Sequence, residues 1–431
     1  MDNLGLAKMR NSKKVVVPIL AWYGDEDLEL EFPASWDVNV CKMKGHDAPA
    51  LSDTQIKRAF ANPIGTRTIR ELAEGKKEVA ILFDDLSRPT PSALLLPYIL
   101  EELAAAGIHD DNIRFIAAIG AHGMMNGFGF RRKLGDAVMG RFLIYNHNPY
   151  ENCTSLGTTS RGTPVSINSE VMSCDLKIGI GSVVPHPFGF GGGGKIILPG
   201  VASIETIYAN HIGLGLSPEG GPVIGKLEDN AVVEDIGEVA KIAGLDVKID
   251  CVLNLKREIT ALFIGDPAKE FKEAVKLAKE HYATDMVHDA DIVVANCYSK
   301  ANEMPLAVPI ASPLLSHSGG DMVLIVVTPE GQIPHYFDRS FGKDFGGRGW
   351  NAPLPGGRCP GLPPNTKRLT IMAPYPDRVG DDWVAPYELI NRASSWTEVI
   401  EELKSTYGYK AKVAIIPDAT VQYFPDVLEI Q

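Results

Sequence analysis

Short runs of apolar, largely β-branched residues recur along the chain, and segments with helical spacing of apolar residues separate many of them. Runs of this length predict buried strands, and their alternation with helices is typical of an α/β fold. The predicted strands are Val79–Phe83, Ile113–Ala118, Leu176–Ile180, Val247–Leu253, Ile292–Asn296, Met322–Val327, Leu369–Met372 and Val413–Ile416, with a first strand in the VVVPIL run after Lys14. The predicted helices are Ser92–Ala106 (with a kink or restart at Pro97), Ile204–Asn210, Pro267–Tyr282 and Trp396–Tyr407.

The 431 residues are too many for one compact core, which predicts two α/β domains with the active site in the cleft between them. A second series of strands and helices begins near Asp266. We therefore expect an N-terminal domain of residues 1–266 and a C-terminal domain of residues 267–416. The tail 417–431 could return to the first domain. Residues 341–365 are rich in Gly and Pro and predict a long irregular loop.

The net charge of −12 argues against non-specific binding of nucleic acid. No stretch approaches the roughly 20 apolar residues that span a membrane. The six cysteines form no CxxC pair, which favours free thiols in a reducing compartment over a disulfide framework or a zinc site. The apolar run after Lys14 is short, is broken by Pro18 and lacks a signal-peptide cleavage site. We therefore expect a cytoplasmic protein.

The segment GFGGGGK at residues 189–195 is the most informative feature of the chain. Glycine loses the most backbone entropy on ordering, so this density indicates close approach of the backbone to a ligand. Lys195 ends the run, with His186 before it and His211 after it. The segment satisfies GxGxxG and GxxxxGK, but Pro199 prevents the long helix of a dinucleotide fold, and isoleucine replaces the Ser or Thr of a P-loop. A solvated surface loop is the alternative interpretation.

Polar residues follow two of the predicted strands, at the edge where parallel sheets bind ligands. Asp85 and Arg88 follow the strand Val79–Phe83. The Arg88 guanidinium could bind a carboxylate or phosphate through paired hydrogen bonds. The alternative for this segment is a helix start capped by Thr90. His122 follows the strand Ile113–Ala118. It lies in the segment IGAHG, where it could act as an acid or base near neutral pH. A single loop histidine is, however, often structural.

Two further residues each have two interpretations. His211 ends a predicted helix, so it could interact with the helix dipole or bind a metal. No second ligand stands one helical turn away, so a metal there would need other ligands, such as those of a cofactor. Lys300 follows the strand Ile292–Asn296 and could face the first domain, or it could be an ordinary solvated lysine.

Together these segments resemble the lactate racemase family, the enzymes that use a nickel-pincer nucleotide. The matching stretches lie between residues 62 and 303 and read NPIGTRTIRELA, FDDLSRPTPS, IGAHG, LGTTSRGTPVSIN, IGSVVPHPFGFGGGGKIILPGVASIETIYANH and ANCYSKANE. The resemblance implies an isomerase that racemises or epimerises a small 2-hydroxy acid. It also implies a covalently tethered cofactor, Ni(II) pyridinium-3-thioamide-5-thiocarboxylic acid mononucleotide, and proteins that make and insert it as partners.

The resemblance also implies a role for each candidate residue. The implied roles are a cofactor tether at Lys195 in the loop of Gly192, Gly193 and Gly194, a nickel ligand at His211, an acid/base pair at His122 and His186, cofactor and substrate positioning by Asp85 and Arg88, and substrate-carboxylate binding by Arg88 and Lys300. In the implied reaction one histidine takes the hydroxyl proton while hydride leaves C2 for the cofactor. The resulting 2-keto acid then takes the hydride back on its other face.

Two departures from the family pattern concern the substrate pocket. The His186–Lys195 interval is one residue shorter than the pattern, which affects the reach of His186. The segment Met124–Phe130 is apolar and predicts a substrate side chain larger than methyl, while Arg131 and Arg132 leave open a second carboxylate. Two other functions remain as alternatives, a non-catalytic carrier of nickel or cofactor and a P-loop-like phosphotransferase.

Overall fold

The computed structural model describes residues 12–217, 219–220, 224–335 and 361–428. Its strands are β1 (Ser12–Ile19), β2 (Glu26–Pro33), β3 (Asp37–Val40), β4 (Val79–Phe83), β5 (Ile113–Ala117), β6 (Leu143–Asn146), β7 (Cys153–Thr158), β8 (Pro164–Asn168), β9 (Leu176–Ser182), β10 (Pro185–His186), β11 (Gly189–Phe190), β12 (Val247–Leu253), β13 (Ile259–Gly265), β14 (Ile292–Asn296), β15 (Gly320–Ile325), β16 (Thr366–Met372), β17 (Ile390–Ala393) and β18 (Lys412–Ile416). Its α-helices are α1 (Asp53–Ala61), α2 (Ile69–Ala73), α3 (Ser92–Ala105), α4 (Gly127–Leu134), α5 (Asp136–Met139), α6 (Ser169–Ser173), α7 (Ile204–Tyr208), α8 (Ala231–Ile242), α9 (Pro267–His281), α10 (Val308–Ala311), α11 (Arg378–Val384), α12 (Trp396–Tyr407) and α13 (Pro425–Leu428). Residues 341–360 of the predicted loop 341–365 lie outside the described residues.

The described residues form two compact units, which we name by the path of the chain. The inserted unit contains the described residues of 45–282 together with 334–335. The terminal unit contains residues 12–44, 283–333 and 361–428. Each unit has a six-stranded, mainly parallel sheet accompanied by helices, which confirms the predicted α/β class.

The sheet of the inserted unit has the order β13-β12-β9-β4-β5-β6. Strands β12 and β13 pair antiparallel, and the other neighbours pair parallel. Alternate residues of β4 join two core clusters on opposite faces, one shared with α3 and one with α8. The chain runs from β4 towards β6 on one side and from β9 towards β13 on the other. The strand order therefore reverses between β4 and β9, and α/β sheets bind ligands outside the carboxyl ends of their strands at such a point.

The sheet of the terminal unit has the order β17-β16-β15-β14-β18-β3, with all neighbours parallel. The antiparallel hairpin of β1 and β2 contributes Val17, Leu30 and Phe32 to its core, together with Trp36 and apolar residues of α12. Because β3 is an edge strand of this sheet, residues 12–44 fold with the C-terminal part of the chain.

This division differs from the predicted boundary at residue 266. Residues 12–44 belong to the terminal unit through β3 and the β1–β2 hairpin, contacts that local sequence pattern does not reveal. Helix α9, which the prediction assigned to the C-terminal domain, packs on β12 and β13 of the inserted unit. The tail, described to residue 428, lies in the terminal unit.

Most predicted elements agree with the structure to within two or three residues. β4, β12, β14 and α12 coincide with their predictions, and α3 continues through Pro97 without a restart. Helix α8 was not predicted, because its β-branched residues and Gly237 weaken helix propensity. No helix in the described part of the chain has the length and apolar character required to cross a membrane. The cysteines among the described residues are free, as predicted.

Candidate active site

A buried lysine holds the loop that follows β4. Lys133 of α4 has no exposed surface, pairs with the Asp84 carboxylate, and donates hydrogen bonds of 3.0 Å to the carbonyl oxygens of Asp85 and Arg88. The Thr90 hydroxyl donates to Asp84 Oδ2 at 2.5 Å. A buried charge is tolerated only when it is paired and hydrogen-bonded, so this network fixes the backbone that carries Asp85 and Arg88.

Asp85 and His122 form a close carboxylate–imidazole pair. Asp85 Oδ2 lies 2.6 Å from His122 Nδ1, and Asp85 Oδ1 accepts from the Ser87 backbone N–H at 2.8 Å and the Ser87 hydroxyl at 2.5 Å. Burial by itself would raise the pKa of Asp85, but the charges of His122 and Arg88 and these hydrogen bonds lower it to about 2. Asp85 is therefore ionised, and it orients His122 with Nε2 directed away from the pair.

The glycine loop packs too closely to carry side chains. Gly192 and Gly193 have φ angles of 95° and 53°, which side-chain-bearing residues rarely adopt. The Gly193 N–H donates to Asp250 Oδ2 at 2.6 Å, and a Cβ on Gly193 would lie 2.6 Å from the Phe271 ring. Packing therefore accounts for part of the glycine density. The loop leads into a four-residue 3₁₀ helix that contains Lys195.

The ring of Phe188 contacts three of the predicted site residues. Its centroid lies 5.9 Å from the centroid of His186, 5.6 Å from that of His211, and 5.9 Å from the Lys195 amine. The Phe188 backbone N–H donates to His186 Nδ1 at 3.1 Å, so the neutral His186 imidazole carries its proton on Nε2. Sequence analysis did not identify Phe188, because an isolated phenylalanine in a loop has no chemical signature.

His211 lies in a π-helix, Ala209–Leu214, that continues directly from α7. The Gly215 N–H donates to the Asn210 carbonyl at 2.8 Å, the five-residue spacing that defines this helix type. The Asn210 amide donates to Asp235 of α8 at 2.8 Å. The sequence predicted an ordinary helix that ends at Asn210. The structure instead places His211 within a wider turn, a feature that is frequent at functional sites.

The surroundings of His211 favour its neutral form. Its Nδ1 is buried and has no hydrogen-bond partner among the described residues. Burial lowers the pKa of His211 well below its usual value, and the positive charges of Lys195, His122, His335 and Arg88 lower it further. A neutral imidazole with an available lone pair is also the form that binds metals.

A further imidazole, that of His335, packs against His122. The two ring centroids are 4.4 Å apart, and the residues form an isolated antiparallel bridge. The Gly123 N–H donates to the Pro334 carbonyl at 2.8 Å, which secures this contact. Sequence analysis missed His335, since a single histidine far from His122 along the chain carries no motif.

The apolar side chains of the segment Met124–Phe130 were expected to shape the substrate pocket, but they lie in the core or at the surface. Phe130 is a core residue that packs on Phe83 with centroids 6.2 Å apart, and Met125 also packs against the core. Met124 and Phe128 are 69% and 68% exposed. Two of the four apolar residues that were predicted to line the pocket therefore pack in the core, and the other two are mostly exposed to solvent.

Lys300 lies in the terminal unit, after β14 and at the point where that sheet reverses its strand order beside β18. Its side chain is fully buried, so the alternative of a solvated lysine is wrong. The loop is anchored by two hydrogen bonds, from the Ser299 N–H to Asp418 Oδ2 at 3.0 Å and from the Lys300 N–H to Thr420 Oγ1 at 3.2 Å. Its contact with a substrate carboxylate stays a prediction.

Comparisons with known proteins identify relatives of this chain. The model of the lactate racemase N-terminal domain matches residues 23–220. Lactate racemase from Thermoanaerobacterium thermosaccharolyticum is 32% identical over 279 residues, which make up 64% of this chain and 65% of that protein. Lactate racemase from Lactiplantibacillus plantarum is 27% identical over 388 residues, 84% of this chain and 88% of that protein. The matched domain, the two relatives and the shared fold support the lactate racemase family for this chain.

Solved structures show the same fold beyond the N-terminal domain. The lactate racemase apoprotein from Thermoanaerobacterium thermosaccharolyticum superposes with a TM-score of 0.68 at 25% identity, over 95% of this chain and 99% of that chain. A Thermotoga maritima protein superposes with a TM-score of 0.64 at 17% identity, over 87% of this chain and 98% of that chain. The fold of the lactate racemase family therefore extends through both units.

Proposed function

We propose that this protein is an isomerase that racemises or epimerises a small 2-hydroxy acid with a tethered nickel-pincer nucleotide. The printed names of two relatives, both lactate racemases, support the reaction class. The observation that carries the proposal is the arrangement of His186, Lys195 and His211 around Phe188, in the same unit as the oriented Asp85–His122 pair.

The residues of the site fit the proposed cofactor. Lys195, in the short helix that follows the glycine loop, offers an amine for the tether. His211 offers a neutral imidazole whose buried Nδ1 has no partner in the described part of the chain, which suits a metal ligand. When bound, the cofactor would supply a reversible acceptor for the hydride of C2, with planar soft donors that suit Ni(II).

The side chains of the chain supply binding and proton transfer. Two enantiomers of a 2-hydroxy acid direct their hydroxyl groups to opposite sides, so one base is needed on each side. We assign the proton transfer on one side to His122, which Asp85 orients, and on the other side to His186, whose Nε2 carries a proton that it can donate because its Nδ1 accepts from a backbone N–H. Arg88 donates 2.8 Å and 2.9 Å hydrogen bonds to Ser87, which steadies its guanidinium for a substrate carboxylate. Lys300 is proposed as a second carboxylate-binding group.

The two alternative functions fit the site less well. A P-loop binds phosphate at the N-terminus of a helix, but only a four-residue 3₁₀ helix surrounds Lys195. A carrier of nickel or cofactor would need Lys195 and His211 but not the oriented Asp85–His122 pair. The proposal further implies that proteins of cofactor synthesis and insertion act on this chain in the cytoplasm.

The decisive experiment measures intact mass and nickel content after co-expression with the cofactor-making proteins. Wild-type protein is expected to carry a cofactor mass increment and nickel. Lys195→Ala should lose the covalent increment because it removes the tethering amine. His211→Ala should keep the organic increment and lose nickel because it removes the one protein ligand.

Lys241→Ala provides the matched control, since Lys241 is an exposed lysine of α8 in the same unit. This variant should load like the wild type. An unchanged mass increment in Lys195→Ala, or full nickel occupancy in His211→Ala, would contradict the assigned roles.

A further inference from the structure

We infer that Asp250 is a positioning residue for Lys195, because it fixes the glycine loop from which the lysine side chain extends. The inference rests on the proposed function, in which Lys195 tethers the cofactor, and it adds a residue that acts through the loop. Asp250 has no exposed surface and belongs to the strand β12, which was predicted from its apolar residues.

Asp250 accepts a short hydrogen bond from the first N–H of the 3₁₀ helix that contains Lys195. The Gly193 N–H donates to Asp250 Oδ2 at 2.6 Å, and a Cβ on Gly192 would lie 2.9 Å from the same oxygen. The Lys195 N–H donates in turn to the Gly192 carbonyl at 3.2 Å, and the Lys195 carbonyl accepts from the Gly200 N–H at 3.1 Å. The backbone of Lys195 is therefore held on both sides, and Asp250 holds the side of the glycine loop.

The glycine loop needs a fixed contact because its ordering is costly. Gly192 and Gly193 have positive φ angles, and glycine loses more conformational freedom on ordering than any other residue. A hydrogen bond to an ionised acceptor is about twice as strong as one between neutral groups. Asp250 therefore offers a strong anchor to a segment that would otherwise sample many conformations.

A buried lysine of the same strand matches the charge of Asp250. Lys248 lies two residues before it, so both side chains leave the same face of β12, and Lys248 Nζ lies 2.5 Å from Asp250 Oδ1. The neighbouring Glu270 of α9 is fully buried, and burial together with the negative charge of Asp250 raises the pKa of Glu270 well above its usual value. Glu270 is therefore neutral. Asp250 is the anion, with one oxygen for the lysine and the other for the loop.

The position of this ion pair favours a role beyond packing. Apolar side chains of similar volume often stabilise a fold as well as a buried ion pair does, so packing alone does not require one. The Lys133–Asp84 pair likewise holds a loop with a proposed site residue, that of Asp85. A Cβ on Gly181 would lie 2.9 Å from Lys248 Nζ and 3.7 Å from Asp84 Oδ2, so the two pairs are neighbours. Each pair supports one loop of the candidate site.

Two double variants test the inference, because removal of one partner alone would leave an unpaired buried charge. Lys248→Met/Asp250→Asn keeps an acceptor for the Gly193 N–H, and Lys248→Met/Asp250→Leu has nearly the same volume without one. Purified apoprotein of each variant is incubated with the cofactor-making proteins, and intact mass is followed over time. The asparagine variant should gain the cofactor increment within about 3-fold of the wild-type rate. The leucine variant should gain it about 10–100-fold more slowly, because a buried donor has lost its acceptor.

A second measurement does not require the cofactor. Hydrogen exchange of the Gly193 amide in the apoprotein should be slow in the wild type and in the asparagine variant. In the leucine variant it should be about 10–100-fold faster relative to the amides of β4, which report on the unit as a whole. The control Glu273→Gln/Lys276→Met removes an exposed ion pair of α9 and should match the wild type in both measurements.

Equal loading rates in the asparagine and leucine variants would overturn the inference. So would a wild-type Gly193 amide that exchanges as fast as an unprotected amide, a result that needs no variant. Faster exchange throughout the unit in the leucine variant, β4 included, would also overturn it, because Asp250 would then support the fold and not the loop. Failure of the wild type to gain the increment would instead contradict the proposed function. The exchange of Gly193 would then decide whether Asp250 holds the loop.

Discussion

At the scale of single residues, the candidate site depends on two side chains with no proposed catalytic role, those of Lys133 and Phe188. Five residues carry side chains that can react or coordinate, so motif and strand-end position select them as candidates: Asp85, His122, His186, Lys195 and His211. Lys133 and Phe188 were not selected, because a lysine in a basic run and a lone phenylalanine are usually a solvated group and a core residue. Their roles depend on burial and contacts that only the fold creates.

Asp85→Asn should lower kcat of the loaded enzyme by about 10²–10⁴-fold, the usual worth of general acid–base catalysis. An asparagine that accepts from His122 would direct its amide towards the Ser87 N–H, so His122 would lose its orientation. The measurement is kcat together with nickel content, which should stay at the wild-type level. Asp136→Asn, which alters an exposed ion pair with Arg131, is the control. Near-normal turnover in Asp85→Asn would show that His122 needs no carboxylate partner.

The lowered pKa of Asp85 also makes the contribution of the Asp85–His122 pair to the stability of the fold depend on pH. Because the folded-state pKa is lowered to about 2 from 3.8, the pair stabilises the fold above pH 3.8. The stabilisation declines as the pH falls towards about 2. Asp85→Asn should therefore flatten the acid limb of the stability curve.

At the scale of elements, strongly apolar strands were predictable and the π-helix was not. The strands β4 and β14 are buried along their whole length and consist almost entirely of apolar residues, so apolar runs mark their ends. The π-helix depends on a tertiary network, since Asp235 of α8 accepts hydrogen bonds from Thr159 and Thr163 as well as from Asn210. The π-helix therefore cannot be inferred from the local sequence pattern, because the Asp235 carboxylate that holds it lies elsewhere in the sequence.

Asp235→Ala should loosen the π-helix and so weaken the hold on His211. Three buried donors would lose their acceptor, which predicts a destabilisation of about 2–4 kcal/mol. Nickel retained by the loaded protein during dialysis should fall more than in Glu238→Ala, which removes an exposed acceptor of Ser160 on the same helix. Thermal unfolding and metal analysis provide the two readouts. Lower stability with unchanged nickel retention would mean that Asp235 supports the fold and not the ligand.

At the scale of the whole molecule, the chain enters and leaves the inserted unit at neighbouring points. The Gly45 N–H donates to the His281 carbonyl at 2.7 Å, and in the terminal unit the Lys44 N–H donates to the Ala283 carbonyl at 2.9 Å. Sequence analysis placed one boundary near residue 266 because it followed the order of elements along the chain. A unit built from separated segments cannot be inferred from that order alone, since β3 joins its sheet only through pairing with β18.

A fragment of residues 45–282 should therefore fold by itself. Its ends are hydrogen-bonded to each other, it retains both core clusters of its sheet, and it includes α9, whose Ala274, Val275 and Ala278 are buried. The matched comparison is a fragment of residues 1–266, which lacks α9 and leaves β3 without its neighbour. The first fragment should unfold cooperatively and give dispersed amide resonances, whereas the second should aggregate or give broad resonances. A well-folded 1–266 fragment, or a non-cooperative 45–282 fragment, would contradict the division into a terminal and an inserted unit.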